Sequence, residues 1–74
     1  MQILSAMHNM GLLNEERAMT AEEIANRTGL PVEVVRKRIK ELSEMGYVKK
    51  VEREGTELYY LSPEGILRVL SLYT

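Results

Sequence analysis

Apolar residues recur along most of this chain at the spacing of helix turns. In residues 2–13, Ile3, Met7 and Met10 fall at i, i+4 and i+7, with Leu4, Ala6 and Leu13 beside them. That stripe predicts a first helix, weakened near its end by Gly11. Asn14-Glu15-Glu16-Arg17 then reads as a solvated connection. Thr20-Ala21-Glu22-Glu23 opens a second helix, because Thr followed three residues later by Glu is a capping box. Ile24, Ala25 and Thr28 carry it for about two turns, and Gly29 suits its C-terminal cap. Pro31 forbids continuation of that helix and starts a third. Val35, Ile39 and Leu42 form the inner stripe of the third helix, with Met45 close to it. Glu33, Arg36, Lys37, Lys40 and Glu44 occupy the opposite face, and Gly46 ends the helix.

Residues 47–61 change character. Tyr47, Val48, Val51, Tyr59 and Tyr60 favour strands, and they flank the charged stretch Glu52-Arg53-Glu54-Gly55-Thr56. Two such runs around a Gly-containing loop predict a hairpin, with Val48, Tyr59 and Leu61 pointing inward. Ser62-Pro63-Glu64 is a helix start: a Ser cap, Pro at the first position and an acid in the first turn. In the last helix Ile66, Leu67, Val69, Leu70, Leu72 and Tyr73 are interrupted only by Arg68 and Ser71. It is apolar on nearly every side, so one side can cover the domain while the rest needs a partner. The order is helix, helix, tight turn, helix, hairpin, helix. The fold class expected is mainly α with a small β-hairpin, a winged helix-turn-helix forming a single domain over residues 1–74.

Composition narrows the chemistry. The 74 residues contain no Cys, no Asp, no Trp and no Phe, and one histidine, His8. A Ser-His-Asp or Cys-His nucleophile system has no complete set of parts, and neither does a multi-histidine or cysteine metal site. No catalytic residue, metal or cofactor is therefore expected, and His8 reads as a solvent or interface residue. Met7, Met10, Met19 and Met45 read as core gap-fillers. No apolar run approaches the roughly 20 residues that cross a bilayer, and the N-terminus lacks a signal-peptide pattern. A cytoplasmic binding module with no membrane partner is expected. A domain this small hides only about 60% of its unfolded surface, so self-association is the stabilising device left to it.

Several fragments resemble bacterial and archaeal winged-helix regulators. Thr20-Ala21-Glu22-Glu23-Ile24-Ala25-Asn26-Arg27-Thr28-Gly29-Leu30-Pro31 resembles their T-x-x-E-I-A-x-x-T-G-L pattern. Val35-Arg36-Lys37-Arg38-Ile39-Lys40-Glu41-Leu42 with Met45-Gly46-Tyr47-Val48 is similar to their recognition helix and its exit. Leu61-Ser62-Pro63-Glu64-Gly65 is similar to the L-T-x-x-G that ends the wing in regulators of the multiple-antibiotic-resistance and arsenical-resistance types. The resemblance covers about residues 20–65 and does not select one family. It implies a DNA-binding transcriptional regulator. Those regulators are usually longer, with extra helices for dimerisation and effector binding.

The formal net charge of −1 conceals a polarised distribution. Residues 34–53 hold seven Lys or Arg against three Glu, an excess of four positive charges, while the rest holds three Arg against eight Glu. A cationic face on an acidic body docks one way onto phosphates. Arg36 and Lys37 can reach guanine O6 and N7, and Glu33 can accept from cytosine N4. Lys40, Lys49 and Lys50 suit phosphates, and Arg53 suits the minor groove or the backbone. Double-stranded DNA is thus the expected partner, read by a homodimer joined through residues 2–13 and 63–73. The plainer reading is a solvated face, in which Glu33/Lys37, Lys37/Glu41 and Lys40/Glu44 stabilise the helix by about 0.2–0.5 kcal/mol each. The alternative function is a winged-helix module for protein–protein interaction in a transcription or assembly complex.

Overall fold

The computed structural model describes residues 2–72. Helix α1 is Gln2–Asn9, followed by a 3-10 turn at Glu15–Arg17, α2 at Ala21–Thr28 and α3 at Val32–Glu44. Strands β1, Val48–Arg53, and β2, Thr56–Leu61, form an antiparallel hairpin, and α4 is Pro63–Ser71. This is the winged-helix order expected from the sequence. Tyr73 of the predicted last helix lies outside the described residues.

The first helix stops at Asn9 rather than at residue 13. Gly11 adopts φ +78°, and the N–H groups of Gly11 and Leu12 donate back to His8 and Met7 at 3.0 and 3.1 Å. That pair of bonds satisfies the last carbonyls and turns the chain off the helix axis. Leu12 is thereby swung into the core, where it is 1% exposed, while Leu13 faces outward. The exit of α3 uses the same bonds: Gly46 to Ser43 at 3.0 Å and Tyr47 to Leu42 at 2.9 Å.

At the other helix ends the local signals operate as expected. Thr20 and Glu23 form a reciprocal capping box on α2, and Ser62 accepts from the Gly65 N–H at 3.0 Å with Pro63 in the first turn of α4. Pro31 takes the N-cap position of α3 and contributes no side-chain bond.

The hairpin is tighter than the five-residue loop expected. Its strands pair as far as Arg53↔Thr56, and Glu54 and Gly55 make the turn with φ +52° and +79°. Two consecutive positive φ angles match the right-handed twist of the flanking strands. Val48 and Leu61 pair at the root of the hairpin and are buried, while Tyr59 on the same face is half-buried. The outer edge of β2 is also occupied: Met19 and Tyr59 exchange both backbone hydrogen bonds, at 3.1 and 2.7 Å.

The core sits where the helices meet the hairpin root. Ile3, Leu4 and Met7 of α1 meet Ile24 of α2, Val35 and Ile39 of α3 and Val69 of α4. Met45 departs from its expected place. It is 61% exposed at the C-cap of α3, on the wall of an open groove beside Ile3 and Val34 rather than in the core. Met10 and Met19 are half-buried against the core.

Candidate nucleic-acid interface

Gly29, Leu30 and Pro31 separate α2 from α3, and Gly29 caps α2 in the left-handed conformation. This turn sets α3 across α2, so that burying Val35, Ile39 and Leu42 leaves the opposite face of α3 in water. Glu33, Arg36, Lys37 and Lys40 are all exposed there. At 3.6 residues per turn they span an arc of about 100°. Arg38 lies about 200° around the helix from Arg36, so it leaves the cationic face. It pairs instead with Glu41 at 3.5 Å and lines an apolar groove with Ile3, Val34 and Met45.

The hairpin divides its cations between two faces, because successive strand residues point to opposite sides. Lys50 shares a face with Glu57 and Tyr59, and its ammonium meets the Glu57 carboxylate at 3.2 Å. Lys49 and Arg53 belong to the other face. The Arg53 guanidinium donates to the Glu15 carbonyl at 2.6 Å, which ties the wing to the 3-10 turn.

Between α3 and the wing lies a cleft of about 460 Å³, lined by Ala21, Glu22, Arg36, Gly55, Thr56, Glu57 and Tyr59. Arg36 Nη2 donates to Glu22 Oε2 at the start of α2. Across the cleft, Glu57 accepts from the Tyr59 hydroxyl at 3.0 Å and from Lys50 at 3.2 Å. The Tyr59 hydrogen bond and the Lys50 ammonium hold the Glu57 carboxyl below its ordinary value of 4.5. Burial and the Glu57 carboxylate push the Tyr59 hydroxyl above its ordinary 10.0. Arg36 and Lys50 are thus balanced by two carboxylates. Lys37, Lys40 and Lys49 have no ion-pair partner among the described residues.

The i,i+4 pairs expected along α3 do not form. Arg38 with Glu41 is its one internal ion pair among the described residues, and Lys37 and Lys40 extend into solvent. Sequence reasoning also missed Glu22 and Glu57. The partner of Glu22 is 14 residues away on another element, which leaves no local signal. Glu57 was accessible in principle: a two-residue turn places it diagonally from Lys50.

Among the described residues no group of three His, Cys, Asp or Glu could hold a metal ion, and no helix is long and apolar enough to cross a membrane.

Comparison with solved structures agrees with this geometry. The DNA-binding TubR fragment from Clostridium botulinum superposes with a TM-score of 0.83 at 28% identity, covering 96% of this chain and 89% of that one. A candidate DNA-binding protein from Ralstonia eutropha gives 0.80 at 26% identity, covering 99% and 91%. A MarR family protein from Bacillus stearothermophilus gives 0.76 at 18% identity, covering 96% of this chain but 49% of its own, a likeness of fold alone. No curated protein matches the sequence. The model of winged helix-turn-helix DNA-binding domains matches residues 10–49, which contain the whole α2–turn–α3 unit and the root of the wing. The chain belongs to the winged helix-turn-helix DNA-binding family.

Proposed function

We propose that this chain is a small transcriptional regulator that binds duplex DNA with α3 in the major groove and the wing against the flanking backbone or minor groove. The observation that carries the reading is the pair Lys37 and Lys40, exposed on the outer face of α3 with no ion-pair partner among the described residues. Unpaired ammonium groups on a convex helix are free to displace counterions from phosphates. Lys40 and Lys49 contact phosphates, and Lys50 does so by exchanging its Glu57 carboxylate for one, while Arg36 and Lys37 address guanine and Glu33 addresses cytosine. Arg53 reaches the backbone or minor groove by exchanging its bond to the Glu15 carbonyl for a DNA acceptor.

Residues 1–74 act as one winged-helix unit in the cytoplasm, as a homodimer through residues 2–13 and 63–73. The support is the outer face of α4, where Leu67 is 66% and Leu70 46% exposed. A two-fold dimer presents two recognition helices to half-sites about 10–10.5 bp apart.

The test is a mobility shift on mixed genomic duplex as salt is raised. Binding that weakens steeply with salt supports the reading. No shift at low salt would replace it with the use of this fold for protein contact.

A further inference from the structure

Resting on the DNA-binding reading, we propose that Glu22 is a positioning residue for base recognition: it holds the Arg36 guanidinium in the cleft so that Arg36 reads a base instead of clamping phosphate.

The contact joins the two helices of the helix-turn-helix, yet both side chains are largely exposed, at 55% for Arg36 and 63% for Glu22. Exposed pairs contribute little to stability, so its main consequence is orientation. Glu22 takes no part in the capping box of α2, which Thr20 and Glu23 form, its other local role being that of an acid in the first turn.

Two effects follow. First, the bond uses one of the five guanidinium N–H groups. Four remain, enough for the bidentate pairing that guanine O6 and N7 accept. A long side chain already biased toward one rotamer in the free protein loses less freedom on docking. Second, Glu22 cancels the Arg36 charge where a passing phosphate would feel it. Sequence-independent attraction is left to Lys37, Lys40 and Lys49, which have no such partner among the described residues. The cleft confines Arg36 further, with Glu57 and Tyr59 forming its opposite wall.

The test compares Glu22→Gln with the wild type, in the native and Arg36→Ala backgrounds. One probe is the duplex that the wild type selects from a random 20-bp pool, and the other is the unselected pool. Thermal unfolding first checks that each variant folds; Gln is isosteric and the site is exposed. The expected result is a site-to-pool affinity ratio lower by roughly tenfold for Glu22→Gln, since a well-aligned bidentate base contact carries discrimination of that order. Pool binding should gain salt dependence, its log–log slope steepening by about 0.9 as one cation is freed. In the Arg36→Ala background the same substitution should leave the ratio within about twofold, the usual independence of sites that do not interact.

An unchanged ratio, or an equal loss without Arg36, overturns the proposal while leaving the DNA reading intact. Absence of binding by both wild type and Glu22→Gln to either probe at low salt overturns both.

Discussion

Gly65 of α4 lies directly against the Tyr47 backbone: a Cβ at Gly65 would stand 2.1 Å from the Tyr47 carbonyl oxygen and 2.9 Å from its carbonyl carbon. The same oxygen accepts the Ser62 N–H at 3.0 Å. The start of α4 is therefore seated on the exit of α3, and this contact fixes the wing root relative to the recognition helix. Ala is normally favoured over Gly inside a helix by about 1 kcal/mol. Here the clash with backbone outweighs that preference. Gly65→Ala is expected to destabilise the domain by about 2–3 kcal/mol, read as a fall in Tm of roughly 10 °C or more. An unchanged Tm would show that α4 can retreat from Tyr47 without loss.

The two Ser/Thr caps differ in environment and should differ in cost. The Ser62 hydroxyl is buried, donates to the Gly46 carbonyl at 2.5 Å and accepts from the Gly65 N–H. Thr20 caps α2 near the surface. Ser62→Ala should cost roughly 2 kcal/mol and Thr20→Ala roughly 1 kcal/mol. Denaturant midpoints at constant m-value measure both, and a reversed order would contradict the burial argument.

These caps were legible in the sequence because they are local: Thr20 and Glu23 are three residues apart, and Ser62-Pro63 are adjacent. Three-residue reach also let Gly46 mark the end of α3. Interactions that depend on distant elements were not legible. Leu12 lies within the predicted first helix, and although the Gly11 turn that swings it inward is local, the Leu61 N–H that its carbonyl accepts at 2.8 Å comes from the end of β2. The Met19–Tyr59 bridge spans 40 residues of chain, counting from the numbering, and has no periodic signature. The candidate interface divides in the same way. Helical spacing predicted the outward face of Glu33, Arg36, Lys37 and Lys40. It could not predict that Arg36 and Lys50 meet carboxylates from other elements, and the charge count placed Arg38 with a cluster that the helix turns it away from.

The Glu57 carboxyl offers a pH test. Its folded value is lowered by the Tyr59 hydroxyl first and Lys50 second. A lowered carboxyl contributes stability that is present above its ordinary 4.5 and is lost as pH falls through the folded value. NMR titration of the Glu57 side chain should give a midpoint below 4.5 in the native protein. Tyr59→Phe removes the leading cause and should move that midpoint upward. A midpoint indifferent to this substitution would mean that the hydroxyl–carboxylate bond does not persist in solution.

Phosphate contacts and base contacts should separate by whether a substitution weakens all duplexes alike or one site selectively. Lys37→Ala and Lys40→Ala each remove a cation without an ion-pair partner among the described residues. Lys40→Ala is expected to weaken binding to all duplexes alike and to reduce the salt slope by about 1. Lys37→Ala should reduce the slope similarly and also cost about 1–3 kcal/mol selectively at the preferred site. Arg53→Ala should reduce the slope by a similar amount if the wing reaches DNA, because the Glu15 carbonyl that engages its guanidinium is neutral and leaves the charge uncancelled. Equal slopes for wild type and Lys40→Ala would remove Lys40 from the interface.

The outer face of α4 tests the dimer. Gly65 and Val69 turn inward and are buried, whereas Leu67 and Leu70 project outward. Covering what remains exposed of Leu67 and Leu70, 66% and 46%, gains a corresponding fraction of the full-burial value of about 1.5–3 kcal/mol, and two copies related by a two-fold axis would bury four such leucines. A domain of this size benefits from such a seam because its own core is small. Sedimentation of the wild type at micromolar concentration should therefore give twice the chain mass, and Leu67→Glu with Leu70→Glu should give the single mass. Charges at the seam would face each other across the axis and be desolvated together, which opposes association. On the isolated subunit the same positions remain in water, so the double variant should stay folded by circular dichroism. It should also lose the preference for paired half-sites while keeping weak, salt-sensitive binding to one. A wild type that sediments as a monomer would limit readout to a single half-site and leave the leucine face of α4 without a self-partner.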